Sequence, residues 1–376
     1  MSQSLLKIHN LQKTTAGAQL LQGANLTINT GEFISLLGPE GSGKTVLITI
    51  LAGFSKPSFG RIIQDGKDIT TLPPSRREAC AIFSDTPLFP YRTVLSNIAF
   101  GLKSQGITRA ERLGRARHML ALSDLAGIEK KHPKRLTHYQ YKMSVLLRAL
   151  VLRPPLLLLD DPFAKLEDTE RRKILAFIKA LQQQWHFSVL YATNRRAEAI
   201  SVSHRLALMS EGRIEQVGTP EEIYHQPETI TAAQSMGTVN LLSCIVTARR
   251  EDGLVALDMD GLTLSAQSYG PPPSIGEDVF LCLRPEQIQL SAHPHSDSLI
   301  SGILKDSHLD GTRHLSAVLL PTGQELLCDD AIAEGYAPGT RVFITWDTAK
   351  TALLPKEQGI GYRSTVAGTT GKGAAL

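Results

Sequence analysis

The chain has 376 residues, 42% hydrophobic and 20% charged, the balance of a folded protein with more than one domain and not of a disordered one. Forty Lys plus Arg against 36 Asp plus Glu leave a formal charge of +4, too even to indicate nucleic acid or a polybasic membrane contact. No apolar run approaches the roughly 18 residues of a membrane span, and MSQSLLKIHN lacks the apolar stretch of a signal peptide, so a cytosolic chain is expected.

Over residues 1–237, short apolar runs alternate with helical stretches. Residues 33–37 (FISLL) predict a buried strand and residues 45–52 the helix after it. Between them runs Gly38, Pro39, Glu40, Gly41, Ser42, Gly43, Lys44, Thr45, which fits G-x-x-x-x-G-K-[ST]. Glycines let backbone N–H groups curl around phosphate oxygens, and the helix N-terminus adds partial positive charge. Lys44 is then expected at the β- and γ-phosphates of a nucleotide and Thr45 on Mg²⁺. Residues 156–159 (LLLL) predict a second buried strand ending in Asp160 and Asp161, with Asp160 placed to hold the Mg²⁺ shell. An amphipathic helix over 169–185 and strands at 189–192 and 206–209 complete the pattern. It predicts an α/β fold whose mostly parallel sheet is covered on both faces.

Beyond Thr238 the texture changes to alternating runs such as SCIVT and VFLCL, divided by Gly and Pro, which suggest a small all-β barrel or sandwich. Residues 271–273 (PPP) read as a loop and 358–376 as a flexible tail. His293, Pro294, His295 and His308 read as loop residues and not as a metal site. Cys80, Cys244, Cys282 and Cys328 are too widely spaced for a CxxC motif and read as reduced thiols.

Taken in order, GEFISLLGPEGSGKT, GRIIQDGKDIT, TLPPSRREACAIF, PLFPYRTVLSNIAFGL, LLRALVLRPPLLLLDDPFAKLED and EGRIEQVGTPEEIYHQP resemble the ATP-binding subunit of an ABC importer. The branch resembled carries a C-terminal TOBE-type regulatory barrel and serves polyamine, ferric-iron, phosphonate, sulfate or sugar uptake. Arg284, Pro285 and Glu286 after VFLCL resemble the recurring RPE of that barrel. The resemblance implies a P-loop ABC ATPase domain at 1–237 with a helical subdomain at about 93–150, and an OB-like barrel at 238–357. ATP and Mg are the implied cofactors. The implied partners are ABC permease subunits, a solute-binding protein indirectly, and a second ATP-binding subunit in a head-to-tail homodimer or heterodimer; nucleic acid is not among them. The implied place is peripheral, on the inner face of the cell membrane. Residues 83–93 would lie near the groove that receives a permease coupling helix, and Thr137 and Gln140 would face the ATP held by the opposing subunit.

The chain departs from the family at the reacting centre. Ser84 stands where the family has Gln, LTHYQ (136–140) where it has LSGGQ, Asp161 where a Glu polarises water, and Asn194 where a His contacts the γ-phosphate. Thr15 stands near the position of the aromatic that stacks on adenine. His138 and Tyr139 replace bare glycine backbone and are expected to block close packing of that loop on ATP. These substitutions predict weakened hydrolysis. The alternatives are a non-hydrolysing regulatory or scaffold subunit that competes with an active paralogue, and a soluble ABC protein acting on nucleic acid or ribosomes.

Overall fold

In the computed structural model, residues 3–250, 253–268, 273–294, 299–310, 313–329 and 336–356 are described. Most of the proline loop expected at 271–273, His295 and the tail from 358 lie outside them. The chain divides into two compact units, Met1–Gly237 and Thr238–Leu376.

The first unit runs β1 (Ser4–Thr15), β2 (Ala18–Asn29), β3 (Phe33–Leu37), α1 (Lys44–Leu51), β4 (Phe59–Gln64), β5 (Lys67–Asp68), β6 (Ala79–Phe83), α2 (Val94–Ile98), α3 (Arg109–Leu122), α4 (His138–Leu150), β7 (Leu156–Asp160), α5 (Asp168–Trp185), β8 (Ser188–Thr193), α6 (Arg196–Val202), β9 (Arg205–Ser210), β10 (Arg213–Gly218), α7 (Pro220–His225) and α8 (Ile230–Ser235). Its central sheet has the order β10-β9-β3-β8-β7-β6, parallel except for β10. Alternate residues of its strands feed two cores. Phe33, Leu157, Leu159, Val189 and Tyr191 pack into the core shared with α2 to α5. Ile34, Leu36, Leu156, Leu158 and Leu190 pack into the one shared with α1 and the second sheet. Burial on both faces is why these strands read as unbroken apolar runs.

The second sheet of this unit, β2-β1-β4-β5, is antiparallel throughout and was not expected from the sequence. Its strands start with SLLKIHNL and AQLLQGAN, where register shifts interrupt the two-residue alternation. Thr15 lies at the tip of the β1–β2 hairpin, opposite Ala18, across a turn in which Ala16 and Gly17 take φ of 49° and 82°.

The second unit is all antiparallel: β11 (Asn240–Arg249), β12 (Leu254–Met259), β13 (Leu262–Gln267), β14 (Asp278–Leu283), β15 (Ile288–Ser291), β16 (Ile300–Asp310), β17 (Arg313–Leu319), β18 (Glu325–Asp329), β19 (Arg341–Trp346) and β20 (Ala352–Pro355). They form two five-stranded sheets, β13-β12-β11-β14-β20 and β15-β19-β16-β17-β18, around one apolar core. His308, expected in a loop, belongs to β16 opposite Leu315; its exposed imidazole takes the solvent side of the alternation. Among the described residues no helix is long and apolar enough to cross a membrane, and no cluster of three metal-ligating side chains occurs.

Candidate functional site

The site forms at the C-terminal edge of the parallel sheet, where β3, β7 and β8 end. The loop from Gly38 to Gly43 joins β3 to α1. Gly38 touches the strand beside it so closely that a Cβ there would stand 2.0 Å from the Met209 carbonyl oxygen. Gly41 and Gly43 take φ of 79° and 98°, conformations that a side chain strains. The Lys44 ammonium is drawn back into the loop, donating to the carbonyls of Gly38 (2.7 Å) and Pro39 (2.6 Å) and to Ser42 Oγ (3.0 Å). Burial pushes its pKa down, against the attraction of Asp160, Asp161 and Glu40. A half-desolvated cation ringed by carbonyls gains by meeting an anion of higher charge density.

Thr45 Oγ1, on the first turn of α1, donates to Asp160 Oδ1 at the end of β7 over 3.0 Å. Burial raises the Asp160 pKa, while the Thr45 hydrogen bond and Lys44 act against it. A hydroxyl and a carboxylate this close form a hard-oxygen pair of the kind that suits Mg²⁺, which keeps several waters and few protein ligands. The residues therefore fit Mg-nucleotide. Lys44, Thr45 and Asp160 would hold it, and the ion would supply charge neutralisation at the phosphates.

Asp161 sits in the left-handed region at φ 37°, its N–H donating to the Ala192 carbonyl (3.1 Å). Its Oδ1 is buried without a hydrogen-bond partner. Burial, then Glu198 and Asp160, raise its pKa, while Arg195 and Arg171 oppose the rise. A carboxyl held up in this way is suited to accept a proton, and its short reach limits where it can do so. Behind it the sequence did not reveal a network centred on the buried Arg171 and Tyr191. Arg171 donates to Glu198 Oε1 (2.6 Å) and to Asp168, and Tyr191 Oη donates to Glu198 Oε2 (2.9 Å). Asn194 follows β8 and is exposed.

Ser84 is exposed and follows β6; its carbonyl accepts from the ammonium of Lys142, a buried α4 residue, at 2.6 Å. Burial and Lys165 push the Lys142 pKa down, against Asp85 and Asp161. Lys142 was not anticipated; a lysine beside the apolar run MSVLL is the signal that could have singled it out.

Thr137 and Gln140 are bound to each other and, among the described residues, make no hydrogen bond to the cradle of this chain. Thr137 Oγ1 accepts from the Gln140 N–H (3.2 Å), and Gln140 Oε1 accepts from the Thr137 N–H (3.2 Å), a capping box that starts α4. His138 is exposed, but Tyr139 packs against its own subunit's core, and burial, then Asp124 and Glu170, raise its phenol pKa. Its ring packs within its own subunit, beside the backbone that stands where the family has bare glycine.

Comparison with known proteins gives these groups a family. A family model described as ABC transporter matches residues 21–164, and one described as TOBE domain matches 281–354. The spermidine/putrescine import ATP-binding protein PotA of Acidothermus cellulolyticus is 36% identical over 88% of this chain and 88% of its own length. The Fe(3+) ions import ATP-binding protein FbpC 1 of Rhizobium meliloti is 33% identical over 92% of this chain and 96% of its own. Among solved structures, a dimeric bacterial ABC transporter cassette matches with a TM-score of 0.53 at 26% identity, over 57% of this chain and 98% of that one. A further structure, described as a post-hydrolysis state of an ATP-binding cassette bound to ADP and Pi, matches with a TM-score of 0.52 at 26% identity, with the same coverage. The chain belongs to the ATP-binding subunits of ABC importers that carry a C-terminal TOBE domain.

Proposed function

We propose that Gly38, Pro39, Glu40, Gly41, Ser42, Gly43, Lys44 and Thr45 bind ATP with Mg²⁺ held by Thr45 and Asp160, and that closure of an ATP-bound dimer drives a membrane permease. The observation that carries the reading is the Thr45–Asp160 pair 3.0 Å apart beside the desolvated Lys44 ammonium. Thr137 and Gln140 serve the partner's ATP, the first through a hydroxyl that still has its proton to donate. Ser84, Asp161 and Asn194 leave the attacking water poorly held, so hydrolysis is slow and the bound state long-lived.

The permease docks, on this reading, in the groove of about 360 Å³ lined by Thr86, Pro87, Phe89, Phe100, Arg148 and Leu152. The Phe89 and Phe100 rings stand 4.6 Å apart with the Arg92 guanidinium over both, and Tyr91 beside them is 94% exposed. Aromatic and Arg side chains at a concave surface supply the anchors that interfaces use. Docking there places the subunit peripherally, on the inner face of the membrane.

Thermal unfolding tests nucleotide binding. Mg-ATP at about 100 times Kd stabilises the fold by about 2.7 kcal/mol. Lys44→Ala removes that shift, and an unshifted parent across millimolar Mg-ATP refutes the reading.

A further inference from the structure

A second cavity lies at the opposite edge of the parallel sheet from the cradle. It measures about 440 Å³ and is lined by Gly114, Arg115 and His118 of α3, by Arg153 in the turn between α4 and β7, and by Trp185 at the end of α5, with Met119 on one wall. Arg153 precedes β7 and Trp185 precedes β8, whereas Asp160 and Asn194 follow the same strands. The five residues of β7 therefore separate the cavity from the nucleotide site by about 16 Å.

Three features mark it as a site. Gly114 stands inside the 14-residue α3, where glycine is disfavoured, yet no packing asks for it: an added Cβ would meet no atom within 4 Å. What its missing side chain does is leave the cavity open. Arg153 holds φ 51°, a conformation costly for a residue with a Cβ, and its guanidinium carbon lies 4.9 Å from the centre of the Trp185 ring. The lining is cationic: Arg115 is paired with Glu111 at 2.7 Å, but among the described residues no carboxylate pairs with Arg153 or His118.

We propose that this cavity binds a small organic oxyanion, a phosphate or carboxylate on a flat body. Arg153, Arg115 and His118 hold the charged group in charge-assisted hydrogen bonds, and the Trp185 indole and the Met119 thioether take the flat part. An occupant ties α3 to the ends of α4 and α5.

The test uses the full chain with Trp346→Phe, which leaves Trp185 as the single indole of the two. Phenyl phosphate and benzoate are titrated while Trp185 emission is followed, with inorganic phosphate as the reference. A saturable change with either organic anion is expected, favouring phosphate or carboxylate according to which binds tighter. Arg153→Gln should weaken it about tenfold, the loss of one charge-assisted contact. Gly114→Leu, which suits a helix and fills the cavity, should abolish it. Lys44→Ala should leave it intact, which separates this site from the nucleotide cradle. No saturable change, an undiminished response in Gly114→Leu, or equal binding of inorganic phosphate alone overturns the proposal.

Discussion

Asp160 and Asp161 end β7 side by side, and burial lifts both carboxyls above the ordinary range. A carboxyl whose folded pKa exceeds its unfolded value holds its proton more tightly when folded. Its contribution to stability is therefore complete below the unfolded pKa and is lost as pH rises through the folded one. The nucleotide-free protein is expected to lose stability in that window relative to Asp160→Asn, the gap between them opening as pH rises towards neutrality. Calorimetric melting of both across that range checks it, and a gap that closes with rising pH overturns it. Mg-nucleotide should narrow the gap in the parent, because the ion takes up the charge that burial penalises. The same cluster bears on turnover. Asp161→Glu alone should gain little, because water orientation also lacks the Gln arm at position 84. Joint Ser84→Gln, His138→Gly, Asp161→Glu and Asn194→His should raise phosphate release by more than the product of the single changes. Tyr139 is left in place because its ring packs against the core. Brisk release by the parent, measured with a permease partner against Lys44→Ala, would remove the grounds for reading these positions as losses.

At the scale of elements, α4 joins the nucleotide site to the proposed permease groove. Lys142 and Tyr141, neighbours on α4, hold the segment after β6 through the Ser84 carbonyl and the Leu88 N–H (2.9 Å). The buried Asn97 of α2 grips Phe89 by both backbone groups (2.7 and 3.1 Å). Leu88 is buried, so Tyr141→Phe leaves an amide unpaired and should cost about 1–3 kcal/mol in urea unfolding. A loss within experimental error would mean that water replaces the phenol. FISLL and LLLL were legible as strands because both faces are buried, and GPEGSGKT was legible because its backbone demands fix its residue types. The hairpin of β1 and β2 was not, since its register shifts at Ile8/Leu11 and Lys13/Thr14 break the alternation that identifies a strand. The inward turn of Tyr139 and the Lys142–Ser84 contact were also hidden, because each joins positions that only the packed helix brings together. The T-x-x-Q pattern of a capping box, by contrast, stands openly at Thr137 and Gln140.

At the scale of the whole molecule, each apolar core among the described residues is drawn from one unit or the other. Three lie within residues 5–236, and the remaining core lies within 242–353 together with its flanking side chains. Solved cassettes that cover 57% of this chain and 98% of their own length are precedents for the first unit without the second. A fragment of residues 1–237 should therefore fold and keep the Lys44-dependent nucleotide shift. The second unit is fastened at its start. The Asn240 side chain donates to the Leu327 carbonyl and accepts from its N–H (2.8 and 2.7 Å), and the buried Arg284 donates to the Thr238 carbonyl (3.3 Å). Residues 238–376 should fold with these contacts kept. A fragment beginning at residue 242 loses all three and leaves the Leu327 backbone and Arg284 without those partners, so it should be less stable by about 2–4 kcal/mol. Urea unfolding of the two fragments measures the difference. Equal stability would show that the fastening at Thr238 and Asn240 contributes nothing. An insoluble 1–237 fragment, together with a single cooperative transition in the intact chain, would mean that the two units fold as one.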